Sequence, residues 1–411
     1  MKICYIADCR PSTHAPRWIA HFVGTGHEVH LISTYPTDVA AIGATSLHVV
    51  PVDFSARSRS LGSVSTARPS LKTLAIKKLT NGVLWRGLAQ VRDHVAPLMI
   101  EWRKDEVREI VGRIAPDIVH AMRVPFEGML AARALRSTRV PLLISTWGND
   151  FTLRATRSSR LGRLTREAMR RADGVHPDCR RDLVLARQWG FPETKPAAVL
   201  PGNGGIQTET FHPGPPNEAL RARLKIPSGA PVVINPRGIR PYIRSEEFFD
   251  AMGWVLERRP DVVFLCSAVQ GNVKAKAWAD ERGIVRSVRL LPQVTHAEMA
   301  DYFRLAQVMV SPSDHDGTPN TLLEAMACGA MPVVGDIEPI HEWLTDGENA
   351  LIVDQRDPAA IGAAILRALG DETLRRSAAA VNWRMVQDRA AYDTSMARAE
   401  ELYRAVIASV R

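Results

Sequence analysis

Cysteine is scarce and unpatterned in this sequence. Cys4, Cys9, Cys179, Cys266 and Cys328 form no ladder and no CxxC pair. An odd number without close spacing excludes a disulfide scaffold and a zinc cluster, and fits a reducing cytoplasm. No stretch approaches about 18 uninterrupted apolar residues, so no membrane-spanning helix is expected. The opening MKICYIADCR lacks a charged region followed by a long apolar segment, so no signal peptide is expected. There is no repeat at solenoid spacing and no low-complexity tail. Zinc-finger spacing and compact aromatic-basic repeats are missing too, which argues against a nucleic-acid partner. The expectation is a cytoplasmic chain.

What is present is the pattern of two α/β domains. A chain of 411 residues is long for one core. Short apolar strands alternate with helices, the signature of a parallel sheet. The strand-like segments of the first half are 1–7, 28–33, 46–51, 117–120, 140–145 and 199–201, with a helix at 15–24. Residues 71–114 read as mostly helical, with Pro97 as an interruption. In the second half the expected strands are 231–235, 262–266, 288–291, 308–310 and 331–334. The expected helices are 246–258, 320–328 and 359–369. Two doubly wound domains with a cleft between them is the natural reading, because such sheets bind ligands at the carboxyl ends of their strands.

Charge is uneven. Residues 1–215 hold 30 Lys and Arg against 18 Asp and Glu, and the remainder holds 23 against 26. The basic half suits an anionic lipid or a phosphorylated substrate, or serves only solubility. Arg57, Arg59, Arg68, Lys72, Lys77 and Lys78 are the expected patch for peripheral contact with an anionic membrane.

The segment from Ser311 to Glu324, SPSDHDGTPNTLLE, joins a strand to a helix. A helix N-terminus has unsatisfied N–H groups and a positive dipole end, which suits a phosphate. Gly317, Thr318, Pro319 and Asn320 would form the cradle. Asp316 would meet a sugar, and Glu324 could take a pair of hydrogen bonds from vicinal hydroxyls such as those of ribose. Plain helix capping also accounts for these residue types. A second cluster, Arg237, Arg240 and Arg244, follows strand 231–235. Arginines beyond a strand end can clamp a diphosphate with bidentate bonds.

These motifs resemble the signature of retaining glycosyltransferases of the GT-B fold, in the GT4 family. Asp316-Gly317 followed by Glu324-Ala-Met-Ala-Cys-Gly329-Ala-Met-Pro332-Val-Val334 is similar to the family's paired acids with seven residues between them, with Asp for the usual first Glu. Pro319 stands where the family has a second glycine. Arg237 matches the family arginine, and Arg240 or Arg244, with Arg244 the first choice, would take the place of the family lysine. His120 ends a strand as a family histidine does, but the donor-contacting position is Met122, so either His120 or Arg123 would take over that contact or the sugar is held differently. The turn from Ser145 to Asp150 is similar to the family's Thr-x-His-Gly-x-Asp, with Trp147 for the histidine and Asp150 kept. Trp147 serves either core packing or sugar stacking, and Asp150 either touches the acceptor or orders its loop. Gly128 lets a helix approach a ligand closely. The first loop has no glycine, so Arg10, His14 and Arg17 would bind an anionic acceptor or a donor phosphate there.

The resemblance implies two Rossmann-like domains: residues 1–200 on the acceptor side, 201–385 on the nucleotide-sugar side, and a helical segment 386–411 returning to the first. It implies transfer of a sugar from a UDP- or GDP-sugar to a hydroxyl acceptor in glycoconjugate or polysaccharide synthesis. Asp316, His120, Arg237 and Arg244 would be the catalytic set. No Asp-x-Asp is placed as a metal carrier, so arginines would replace a divalent ion and no permanent cofactor is expected. A nucleotide-sugar epimerase or hydrolase and a non-catalytic nucleotide-sugar binder are the alternatives.

Overall fold

The computed structural model describes residues 1–9, 15–35, 43–52 and 83–411. The chain forms two compact units. One comprises Met1–Asn203 with Arg398–Arg411, the other Gly204–Ala397. The changeover at 397/398 falls inside the last helix rather than at the expected 385/386. The reason is packing: Val386 and Ala390 lie in the core of the second unit.

The first unit holds a six-stranded parallel sheet in the order β3-β2-β1-β4-β5-β6. Its strands are β1 (Lys2–Ala7), β2 (Glu28–Ser33), β3 (Ser46–Val49), β4 (Ile118–Ala121), β5 (Leu142–Thr146) and β6 (Gly174–Pro177). Helix α1 is Ala15–Gly24, and Trp18, Ile19 and Phe22 are its buried face. Helix α2 runs Val83–Ile114 with Pro97 inside it, so the expected interruption does not occur. Ala96, Ile100, Val107 and Ile110 are buried around the proline, and that packing outweighs the roughly 3 kcal/mol a mid-helix proline costs. Next come α3 (Met129–Ala134), α4 (Ser159–Arg171) and α5 (Arg180–Gln188). Residues 199–201 form no strand, and β6 supplies that sheet edge instead.

The second unit repeats the design. Its parallel sheet has the order β12-β11-β10-β7-β8-β9. The strands are β7 (Val232–Asn235), β8 (Val263–Cys266), β9 (Val288–Leu290), β10 (Val308–Ser311), β11 (Met331–Gly335) and β12 (Leu351–Val353). The helices are α6 (Glu218–Arg223), α7 (Ser245–Leu256), α8 (Val273–Glu281), α9 (His296–Leu305), α10 (Asn320–Cys328), α11 (Pro358–Gly370), α12 (Glu372–Arg389) and α13 (Tyr392–Val410). Apolar residues alternate between two cores: Val232, Ile234, Leu265 and Met309 face one, and Val233, Phe264, Val308 and Val310 the other. Burial on both faces is why these strands read as continuous apolar runs. In both units the order, counted within the unit, is 3-2-1-4-5-6 or its mirror listing. Direction therefore reverses between β1 and β4, and between β7 and β10.

Candidate functional site

The richest cluster lies where the second sheet reverses, at the carboxyl ends of β7 and β10. Two loops leave there, 236–244 and 312–319, and they are tied together. The Arg244 amide donates to the Pro312 carbonyl at 2.9 Å, and the Asp314 amide to the Tyr242 carbonyl at 2.9 Å. Two ion pairs cross the same gap, Arg237 with Asp316 and Arg244 with Asp314. Gly335 at the end of β11 has no room for a side chain, since a Cβ there would lie 2.8 Å from the Ser313 carbonyl oxygen.

Arg237 spans from one loop to the helix beyond the other. Its amide donates to Asn235 Oδ1 at 2.9 Å, and its Nη1 donates to Thr321 Oγ1 at 3.2 Å. Thr321 is in the first turn of α10. The guanidinium is therefore held at a helix N-terminus, where both positive ends add. Pro319 is the N-cap residue of α10, and no side chain caps that helix. By contrast Ser158, Asn217, Asn272, Thr295, Asp357 and Asp371 cap theirs. Simple capping does not account for the loop. Gly329, in a left-handed conformation with φ 84°, ends α10.

Glu324 sits one turn into α10 with only 4% of its surface exposed. Its Oε1 lies 3.6 Å from Nδ1 of the exposed His296. The Thr318 hydroxyl accepts from Trp343 Nε1 at 3.1 Å, and Arg389 lies 4.3 Å over the Trp343 ring. Gly317 donates its amide to Asp316 Oδ1 at 3.1 Å.

Arg244 departs from the expected phosphate clamp. It is shared between Asp314 and Glu247, the latter at 3.2 Å. The hydrogen bond to Asp314 raises its pKa further. Burial works against the Asp314 carboxylate, but bonds from Arg244 and Gln355 and the charges of Arg244 and Arg356 keep its pKa below the usual range. Both carboxylates of Asp314-His315-Asp316 are thus neutralised by arginine. Arg240 is exposed and donates to the Tyr242 hydroxyl at 3.0 Å. Asp314, Thr321, His296 and Trp343 were not marked as site residues from the sequence. Their partners are distant along the chain, and only Asp314 and Thr321 lie inside the Ser311–Glu324 segment.

In the first unit His120 is fully buried, and both ring nitrogens are engaged. This corrects the expectation that it reaches a sugar. The Leu200 carbonyl can only accept, so His176 Nε2 donates to it at 3.2 Å. The neutral His176 then accepts at Nδ1 from Ser145 Oγ at 2.9 Å. Ser145 in turn accepts from His120 Nε2 at 2.8 Å, and His120 Nδ1 accepts from the Tyr403 hydroxyl. Tyr403 accepts from Trp18 Nε1 at 3.0 Å, and its hydroxyl oxygen lies 3.1 Å from that of Tyr5. One consistent direction satisfies the six groups from the Leu200 carbonyl to Trp18. Burial, with the charge of His176, pushes the pKa of His120 well below its usual value. Burial lowers that of His176 to about 4.

Asp150 is buried and orders its own turn. It accepts from Arg123 Nε at 2.8 Å, from the Val124 amide at 3.3 Å and from the Trp147 amide at 3.2 Å. Arg123 is thereby committed to a carboxylate. Trp147 is half-buried: its Nε1 donates to the Met122 carbonyl at 2.7 Å, and its ring fills the space where a Cβ on Gly202 would be. Its ring therefore packs within its own unit. Gly128 approaches Ile144 of β5, with 3.0 Å from its Cγ2 to a Cβ built on the glycine. Arg17 is half-buried in the first turn of α1. Arg10, His14 and the patch Arg57, Arg59, Arg68, Lys72, Lys77 and Lys78 lie outside the described residues. Burial pushes the Cys4, Cys9, Cys266 and Cys328 thiols up to about 12, so none of them is an activated nucleophile.

Two family models match adjacent halves of the chain. "Glycosyl transferase 4-like domain" covers residues 11–202, and "Glycosyl transferases group 1" covers 216–381. Curated relatives include D-inositol 3-phosphate glycosyltransferases. That of Streptomyces avermitilis is 29% identical over 46% of this chain and 42% of its own length. That of Streptomyces coelicolor is 29% identical over 55% and 54%. The chain spans about half the length of the curated relatives it matches. Among solved structures, sucrose-phosphate synthase from Thermosynechococcus elongatus superposes with a TM-score of 0.73 at 15% identity, covering 100% of both chains. HepE of Anabaena in complex with UDP-glucose gives 0.71 at 14% identity over 98% of both.

Proposed function

Because this chain has the GT-B fold and the domain architecture of GT4-type glycosyltransferases, we propose that it is a retaining glycosyltransferase that moves a sugar from a nucleoside-diphosphate sugar to a hydroxyl. The observation that carries this reading is the placement of Arg237 at the uncapped N-terminus of α10, with Asp316 beside it and the buried Glu324 one turn further on. Heterolysis at the anomeric carbon builds negative charge on the departing diphosphate. A guanidinium and a helix N-terminus aimed at that charge lower the barrier. Glu324 would take the ribose hydroxyls, and Asp316 would orient the sugar. With the arginines supplying positive charge, the leaving phosphate itself can accept the acceptor's proton on the face it departs from.

A UDP-sugar is the first choice of donor, since the structural neighbour HepE was solved with UDP-glucose. Residues 1–203 would hold the acceptor and 204–397 the donor. The acceptor belongs to a glycoconjugate, a glycolipid or a small polyol such as the inositol phosphate named for the curated relatives. Contact with an anionic membrane face is part of the proposal. It rests on the basic first half and on Leu98 and Trp102, exposed one turn apart on α2. Among the described residues no helix is long and apolar enough to cross a membrane. Co-sedimentation with anionic vesicles at low and high salt tests the membrane part, which is withdrawn if low-salt binding is absent.

The transferase reading is tested by screening nucleotide sugars for protection against thermal unfolding, followed by product analysis with a hydroxyl acceptor. Protection by a nucleotide sugar and transfer with retained anomeric configuration are expected. Release of an isomerised nucleotide sugar without an acceptor would instead identify an epimerase.

A further inference from the structure

The cation and the acid expected to serve opposite ends of the donor are paired with each other. Arg237 gives Nη2 to Asp316 and Nη1 to Thr321, while its buried Nε has no partner among the described residues. The side chains of the pair are only 9% and 16% exposed, so water screens it weakly. A diphosphate that claims this guanidinium must displace Asp316. Once displaced, Asp316 keeps the Gly317 amide at 3.1 Å but lies beside a new anion. That state is costly unless something donates to the carboxylate. The hydroxyls of a donor sugar do so, and a bare nucleoside diphosphate has no group there.

Resting on the donor-site reading above, we propose that Asp316 is a specificity-determining residue that makes the site prefer loaded nucleotide sugar over spent nucleoside diphosphate. Before binding, it neutralises Arg237. With the donor in place, it exchanges Arg237 for sugar hydroxyls, and the diphosphate takes the guanidinium with its unused Nε–H. After transfer the hydroxyls leave with the product, and Asp316 competes again for Arg237 and helps to expel the diphosphate. Asp314 cannot do the same, because Arg244, Gln355 and Arg356 all hold it in place.

The test is calorimetric titration of wild type and Asp316→Asn with UDP, GDP and UDP-glucose. Asp316→Ala serves as a second variant, and near-ultraviolet circular dichroism checks the fold of both. In the folded variants, UDP or GDP should bind about three- to tenfold more tightly than to wild type. The nucleotide sugar should gain nothing, so the preference for it collapses. Product inhibition by the nucleoside diphosphate should deepen in parallel. Unchanged or weaker nucleoside diphosphate binding in a folded variant overturns the inference and leaves the donor site standing. If wild type binds none of the three, the donor-site reading fails and takes the inference with it.

Discussion

Arg237 and Arg244 look equivalent as residue types, and their surroundings separate them. Arg244 already faces two carboxylates, Asp314 and Glu247, whereas Arg237 faces one; each has a buried Nε with no partner among the described residues. Arg237→Ala should weaken nucleotide binding about tenfold, the order of one lost charge-assisted bond. Arg244→Ala should change affinity less and lower thermal stability more, because it strips Asp314 of its main partner. Titration and melting of the two variants check this, and equal affinity losses would show that both arginines clamp the ligand. Glu127 offers a second test at this scale. It is buried, one oxygen accepts from Thr34 Oγ1 at 2.9 Å, and the other has no partner among the described residues. Burial raises its pKa, with help from the charge of Asp8, and outweighs the backbone bond, the Arg123 charge and the Thr34 bond that lower it. A carboxyl with a raised folded pKa stabilises least once pH exceeds that value. Glu127→Gln should therefore be neutral at acid pH and stabilising by ~1 kcal/mol at pH 7 to 8. Denaturant melts across pH measure this, and a loss of stability at pH 8 would contradict it.

At the scale of elements, helix α10 was legible from the sequence at both ends. Pro319 cannot continue a helix backwards, and Gly329 takes the left-handed cap that stops it. The strands buried on both faces were legible for a similar reason, since their apolar runs have no other use. Residues 199–201 misled because VLP is apolar, yet only the Leu200 amide bonds to β6, at the Pro177 carbonyl, and no ladder forms. Strand β6 escaped because GVHP mixes a glycine, a histidine and a proline, and its histidine is spent on a buried relay. Pairings such as Tyr403 with His120 span 283 residues and leave no trace in local sequence. The same relay makes helix α13 a target. A Cβ on Gly174 would lie 2.3 Å from Val406 Cγ2, so Gly174→Ala should push that helix off the sheet edge. A loss of roughly 1–3 kcal/mol is expected by chemical denaturation. A loss below measurement error would mean that Val406 moves aside at no cost.

At the scale of the whole molecule, the fully buried, neutral His120 and His176 limit stability in acid. Both have folded pKa values depressed by burial, that of His176 to about 4. The unfolded chain protonates them near about 6.5. Unfolding therefore takes up protons at any pH below that value, and stability falls as pH drops from about 6.5 towards 4. Replacing His176 by Gln should flatten the curve over this window, which melts at half-unit pH steps would show. A wild-type curve level from pH 7 to 5 would contradict the buried relay.

The central claim is that Glu324, on helix α10 behind Arg237, receives the nucleotide part of a donor. Calorimetric titration of UDP and GDP sugars into wild type and Glu324→Ala tests it most directly. Wild type should bind at least one of them saturably at one site per chain. The variant should lose roughly 1.5–3 kcal/mol, the value of a hydrogen bond to a charged group. Equal affinity in the two proteins, or no binding to wild type, would contradict the account.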